Sequence, residues 1–367
     1  MENTGNNHDN LLNPRAVEEL KEKEFDELFE IIKFVTPGTE LRTAIDDISR
    51  AGMGALIVLG DSDHIVQLTN GGFKLNCKFS SQQLVELCKM DGAIILSDDA
   101  KKIVYCNTML VPDHKIPTNE TGTRHKAAER TAKQINVPII AVSERRKIVT
   151  LYYKDMRYVL RSSEELLSKA SETLRMLEKH KDLLNELLVN LNVLEFTNFV
   201  SLQDIILPLQ RMEIIKRIAE TIRKYIIELG TEGNLVKILF KEIIKDVEKE
   251  KTFLLKDYSR NWEFSRTALP TLTLDELIDT DNILRILLYS SPNDSVKSRG
   301  YRLLNKTNLN KEIISSFIDS FENFQQILDS MNSNPEKIEN TLGDKNLKKL
   351  KNDLENLKEQ ALLGKKI

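Results

Sequence analysis

The chain is poor in the features that mark secreted, metal-caging and membrane-spanning proteins. Cysteine occurs three times in 367 residues. Cys77, Cys88 and Cys106 are odd in number and share no metal-ligand spacing, which argues against a disulfide framework and fits buried thiols in a reducing cytoplasm. Long apolar runs are absent: Ala55–Leu59 is strand-sized, far short of the roughly 20 residues of a membrane helix, so no membrane partner is expected. Met1–His8 has neither a cationic start nor an apolar stretch, so no signal peptide is expected. The formal net charge is only -3, and any DNA contact must therefore come from a local patch.

What is present points to a soluble protein of several domains. Hydrophobic residues make up 41% and charged residues 30% of the chain, a globular balance long enough for two or three cores. Residues 1–15 are polar and Asn-rich and read as a loose tail. From Ala16 to Phe34 apolar residues recur at helical spacing, ended by Pro37-Gly38. Short β-like runs then alternate with helices: Ala55–Leu59, Phe73–Phe79, a helix after Ser80-Ser81, Ala93–Leu96, Ile103–Cys106, a helix after Thr123, Val137–Val142, Ile148–Tyr153 and Tyr158–Leu160. This predicts an α/β domain with a mixed central sheet over 16–161.

Beyond Ser162 the pattern becomes all-α. Ala170, Leu177, Leu184 and Leu191 fall seven apart, with a second imperfect row at Leu166, Thr173, His180, Leu187 and Leu194. Thr173 and His180 interrupt that row, so a helical bundle is expected rather than a long coiled coil. Further helices are predicted over Leu202–Leu229 and Leu235–Leu255, making 162–290 a helical spine. A last domain spans 291–367.

Two motifs carry chemistry. Gly122-Thr123-Arg124-His125-Lys126-Ala127-Ala128-Glu129-Arg130 opens an amphipathic helix whose first-turn amides favour an anion. Arg124, His125 and Lys126 add cations where the helix dipole is already positive, more than a cap needs and suited to a polyphosphate. Asp91-Gly92-Ala93 sets a carboxylate and a close-approach glycine before the apolar run Ala93–Leu96. A carboxylate facing a phosphate cradle suggests metal-assisted phosphoryl chemistry. The other histidines, His8, His64, His114 and His180, show no ligand spacing.

This motif pair resembles that of the diadenylate cyclase domain. Pro37–Arg42, Gly54–Asp61 and Ser143–Tyr153 are similar to the same domain in order, while Gln210–Glu213 and Tyr225–Gly233 resemble one branch, the DNA integrity scanning (DisA) family. The resemblance implies a diadenylate cyclase that joins two ATP molecules into cyclic di-AMP with release of two pyrophosphates, coupled to scanning of branched or duplex DNA in the cytoplasm and nucleoid. It implies Asp91 as the ligand of Mg2+ or Mn2+ and the group orienting the 3′-hydroxyl, with Arg124 and His125 as further catalytic residues. The nucleotide site it implies is Gly92, Leu110 (at adenine), Thr123, Arg124, His125, Lys126, Ala127, Ser143, Arg145 and Arg146. Each domain carries one copy of the motif pair, so active sites are expected at cyclase-domain dimer interfaces, within an octamer.

The C-terminal stretch, with Gly300–Leu304, Ile313–Phe321 and Phe324–Leu328, resembles a helix-hairpin-helix domain that binds DNA through Gly343, Lys345, Lys348 and Lys349. From Lys345 onward seven lysines face three acidic residues. The chain departs from the family at three points: Lys126 replaces arginine, Ala127 replaces threonine, and Asn340–Lys345 holds one glycine instead of two. Two alternatives therefore stay open: a catalytically weak DNA-binding scaffold, or a cyclase whose last domain serves only assembly.

Overall fold

The computed structural model describes residues 27–60, 63–291, 296–333 and 343–365. The expected tail over 1–15, the helix start at Ala16, the Pro292–Asp294 boundary and the Asn340–Leu342 part of the hairpin lie outside the described residues. The chain divides into two compact units, one of residues 1–170 and 224–235 and the other of residues 171–223 and 236–367.

The first unit is the expected α/β domain with a mixed sheet. Its elements are α1 (Glu40–Arg50), β1 (Ala55–Leu59), α2 (Asp63–Gln67), β2 (Thr69–Asn70), β3 (Phe73–Lys78), α3 (Ser81–Leu87), β4 (Ala93–Leu96), β5 (Lys102–Leu110), α4 (Thr123–Ile135), β6 (Ile139–Val142), β7 (Val149–Tyr153) and β8 (Met156–Leu160). The strands run in the order β2-β5-β4-β1-β6-β7-β8, with β3 also on β5. Only β1 and β4 pair in parallel.

The central strands are unbroken apolar runs because helices cover both sheet faces. Alternate residues feed different cores: Ala55, Ile57 and Leu59 pack with Leu41, Ile45, Ile48 and Leu84, whereas Leu56 and Val58 pack with Ala128 and Ala132 of α4. Small residues on α4 let it lie close to the sheet. Its far end stops at Asn136 in the left-handed conformation, φ 55°, a residue type that tolerates it.

Two segments that carried the family resemblance meet here. Gly230 has φ +54°, and a Cβ on it would approach Thr36 Oγ1 to 2.6 Å and Pro37 O to 2.8 Å. Thr231 Oγ1 donates to Pro37 O at 3.2 Å. Tight backbone contact thus ties 224–235 to the α/β domain.

The second unit is helical. It is built on α5 (Ser163–Thr197) and α6 (Leu202–Leu229), which begin or end in the first unit, followed by α7 (Asn234–Ile243), α8 (Val247–Tyr258), α9 (Trp262–Ala268), α10 (Leu274–Ile278), α11 (Thr280–Ile286), α12 (Tyr301–Leu304), α13 (Lys311–Asp319), α14 (Phe324–Ser333) and α15 (Asp344–Leu362). Two expectations need correction. The seam of α5 does use Ala170, Leu177, Leu184 and Leu191, but its second buried row holds Leu174 and Leu188, while Thr173, His180 and Leu187 are only half-buried. Heptad spacing alone admits a row on either side of the first. The single helix expected over Leu235–Leu255 is two, because Asp246 takes φ +65° and breaks it.

The C-terminal helices share a core with α5: Phe196 packs with Leu303, Phe317, Phe324, Ile327, Leu350 and Leu354. A buried charge cluster sits beside it. Arg302 is fully buried and donates to the equally buried Glu195, through Nη2 to Oε2 and through Nε to Oε1 at 3.2 Å. Tyr258 donates to the same carboxylate at 2.7 Å. The Asp257 carboxylate accepts the amides of Tyr301 and Arg302 at 2.6 and 2.8 Å, capping α12.

Two outcomes follow for stability. Glu195→Gln takes from the buried Arg302 the carboxylate it is hydrogen-bonded to and leaves Glu250, 3.9 Å away, as the remaining ion-pair partner; breaking a buried pair costs about 3–5 kcal/mol, readable as a lower denaturant midpoint. Burial, helped by the Glu195 charge, pushes Asp257 up to about 7 from its ordinary 3.8. The folded state then holds a proton that the unfolded state has released between those values, so stability should fall as pH rises from about 4 through 7. Asp257→Asn should flatten that slope in pH-dependent urea titrations.

Candidate active site

The strand register collects the candidate residues at one sheet edge. β1 and β4 pair Ile57 with Ile94, which carries Gly54 level with Asp91. β1 and β6 pair Ala55 with Val142, carrying Gly54 level with Ser143. β4 and β5 pair Ala93 with Thr108, carrying Asp91 level with Leu110. Leu110, Asp91, Gly54 and Ser143 therefore stand in a row across four adjacent strands. Asp91 is exposed at this edge, and Leu110 is buried in the core under α4.

Two glycines make the edge possible. Gly92 has φ +100°, and a Cβ there would lie 2.8 Å from Thr108 O; the backbone after Asp91 is pressed against β5, where only glycine fits. At Gly54 a Cβ would overlap Arg124, falling 2.1 Å from Nη1. The Arg124 guanidinium thus lies on the β1 start, beside the level of Asp91. It also reaches the electrostatic surroundings of Cys88, whose thiol burial pushes up to about 12 against the pull of Arg124.

The start of α4 forms one wall of a cavity of about 480 Å³. Gly122 is the N-cap and offers no side-chain hydrogen bond, leaving first-turn amides available for an anion. Thr123, Arg124 and His125 line this cavity together with Ser143, Arg145 and Arg146 from the β6–β7 turn. That turn is closed by Ser143 N donating to Ile148 O at 2.9 Å and by Arg146 N donating to Ser143 Oγ at 3.3 Å. Six of the candidate residues therefore share one concavity. Lys126 and Ala127 lie outside its lining; both are half-buried, and Ala127 packs on the core under α4.

The cavity also holds residues that sequence reasoning missed. Glu120 and Arg157 line it, and Tyr152 stands behind it. Arg157 Nε and Tyr152 Oη each donate to Glu120 Oε1 at 2.7 Å, and His125 Nδ1 lies 2.9 Å from Tyr152 Oη. Burial alone would raise the Glu120 carboxyl, but the hydrogen bonds from Tyr152 and Arg157 hold it below the usual range. His125 is depressed, first by burial and then by the surrounding arginines, although Glu120 pulls it upward. The β-strand alternation of Val149–Tyr153 was the available signal, since it places one tyrosine of the pair Tyr152-Tyr153 on the α4 face.

Among the described residues no three or more His, Cys, Asp or Glu side chains cluster as a metal cage. Asp91 is an exposed single carboxylate, which fits a hard divalent ion that takes its remaining oxygen ligands from a nucleotide's phosphates. The C-terminal candidates belong to the second unit. Gly343 caps α15 with φ 76°, Lys348 and Lys349 are exposed, and the side chain of Lys345 lies outside the described residues. Among the described residues no helix is long and apolar enough to cross a membrane.

Comparison with known proteins identifies the family. Residues 42–157 match the family model described as DisA bacterial checkpoint controller nucleotide-binding, and residues 160–296 match the DisA bacterial checkpoint controller linker region. The chain is 40% identical over 348 residues to the DNA integrity scanning protein DisA of Clostridium botulinum (strain Langeland), covering 92% of this chain and 98% of that one. Identity to the protein of that name from Clostridium acetobutylicum is 36% over 356 residues, covering 95% and 99%. Among solved structures, a double mutant of DacA from Staphylococcus aureus is 20% identical with a TM-score of 0.29, covering 41% of this chain and 97% of that one. With near-complete coverage of such relatives and both family models in sequence order, the chain belongs to the DisA family.

Proposed function

We propose that the chain is a diadenylate cyclase that condenses two ATP molecules into cyclic di-AMP. The observation that carries this reading is the row Leu110–Asp91–Gly54–Ser143 beside a cavity lined by Arg124, His125, Arg145 and Arg146. In the reaction each 3′-oxygen loses its proton and attacks the α-phosphorus of the other nucleotide, and each bond from that phosphorus to the bridging oxygen breaks to release pyrophosphate. Such a transfer is governed by in-line positioning and by cations at the developing phosphate charge.

The chain's residues divide that work. The α4 amides with Thr123 and Ser143 bind phosphate oxygens, and the arginines stabilise the charge that accumulates on the leaving pyrophosphate. Gly92 lets the nucleotide approach the backbone, with Leu110 at the base of an adenine site. Asp91 orients the attacking hydroxyl and would hold Mg2+ or Mn2+, which supplies charge neutralisation on the phosphates when bound. One chain carries one such set, so the reaction calls for two cyclase domains face to face, each with one ATP. The family resemblance supports an octamer of chains in which the cyclase domains meet in such pairs, in the cytoplasm and at the nucleoid.

DNA binding belongs to the same reading. Gly343 is the N-cap of α15 and gives it no side-chain hydrogen bond, and Leu347, Leu350, Leu354 and Leu357 turn inward, which leaves Lys348 and Lys349 on the outer face. The single glycine of Asn340–Lys345 favours a second reading, in which the last helices serve only assembly.

Asp91→Asn should reduce cyclic di-AMP formation to near background while leaving the unfolding transition in place, because the charge is lost and the shape kept; product is read by mass after incubation with ATP and either metal. Product at the wild-type rate would remove Asp91 from the reaction. For DNA, Lys348→Glu with Lys349→Glu should weaken junction binding and flatten the log–log salt slope by about 0.9 for each phosphate contact removed. Binding by the parent chain that does not respond to salt would favour the assembly reading.

A further inference from the structure

The hydrogen bonds behind the cavity determine which nitrogen of His125 carries a proton. Tyr152 is 1% exposed, and its hydroxyl has a single proton, which it donates to Glu120 Oε1. Glu120 is in turn held by Arg157 Nε and stays ionised. The Tyr152 oxygen can therefore meet His125 Nδ1 only as an acceptor, so Nδ1 must bear the hydrogen. Neutral imidazole then has its lone pair on Nε2, at the ring edge away from Tyr152. Since His125 lines the cavity and Tyr152 does not, that edge is the one turned toward the cavity in which the proposed nucleotide would bind.

We propose that Glu120 and Tyr152 are positioning residues that hold His125 as the Nδ1–H tautomer, so that the arriving triphosphate draws one proton onto Nε2 and is bound by an imidazolium. This rests on the cyclase reading and adds a coupling to it: nucleotide binding takes up a proton. The proton comes from solvent, and nothing else in the reaction changes its balance. The charged groups facing His125 support the sequence of events. Arg124 on its own helix, Arg146 on the β6–β7 turn and Arg157 on β8 oppose an imidazolium in the empty site, while Glu120 on the loop before α4 favours it. Phosphate oxygens would offset the arginines, and the balance then tips toward the charged ring. Tyr152 carries the influence of Glu120 to Nδ1.

The first test needs no nucleotide. Nitrogen-15 spectra of the imidazole side chains, with His125 assigned by comparison with His125→Gln, should show the Nδ1–H tautomer for His125 and reversion to Nε2–H in Tyr152→Phe, which keeps the ring packing. The second uses calorimetry with a non-reacting ATP analogue and Mg2+ in buffers of different ionisation enthalpy. The parent chain should take up close to one proton per site near pH 7.5. In Glu120→Gln the uptake should move about one pH unit lower, and KM for ATP should rise about tenfold at pH 8 with a smaller change at pH 6, where the more acidic solvent favours the charged ring in the complex of either chain. An Nε2–H tautomer in the parent chain, or uptake and pH profiles unchanged in both variants, overturns the proposal while the cyclase reading stands. Failure of the parent chain to bind the analogue overturns both.

Discussion

The approach of Arg124 to the backbone of Gly54 is the contact on which the rest of the site depends. A side chain at residue 54 would occupy the space of the guanidinium, so the head of Arg124, which projects from the first turn of α4, would have to swing away from the β1 start. That turn carries the unpaired amides, His125 and the wall of the cavity. The same glycine lies level with Asp91 on one side and Ser143 on the other. One missing Cβ thus lets the Arg124 guanidinium lie against the carboxylate edge. A displacement of about 1 Å at a reacting centre can cost orders of magnitude in rate.

Helix α4 itself is held close to the sheet by its small residues. Ala128 and Ala132 are fully buried against Leu56, Val58, Ile139 and Ala141. Larger side chains there would lift the helix and open a gap at Gly54. The apolar continuity of the central strands and the alanines of the basic helix are therefore one structural requirement. Charge is collected at the sheet edge because every other surface of these strands is covered.

Much of this was legible in the residues. The strand runs and the mixed sheet follow from two-sided burial and apolar patterning, and the grouping of Thr123–His125 with Ser143, Arg145 and Arg146 follows from the resemblance to the cyclase domain. The parts that were not legible depend on facts outside local pattern. Whether Leu174 or Thr173 faces the bundle depends on which neighbour covers α5, and a seven-residue repeat is silent on that. The break at Asp246 needs a left-handed residue that no glycine announces. Glu120, Tyr152 and Arg157 come from a loop and two strands, and their shared carboxylate oxygen exists only after β7 and β8 are laid beside α4.

The two departures from the family's basic motif take on a different weight once the helix is placed. Lys126 and Ala127 follow the residues that line the cavity but do not line it themselves. Ala127 packs beside Ala128 on the core face, where a threonine hydroxyl would need a partner of its own. The planar two-pronged donors that phosphate recognition favours are supplied instead by Arg124, Arg145 and Arg146, which all reach the cavity. A lysine at 126 leaves that arginine set whole, so the electrostatics that the cyclase reading requires do not rest on the substituted position. The scaffold alternative loses its main argument at this point, because it drew on those two substitutions.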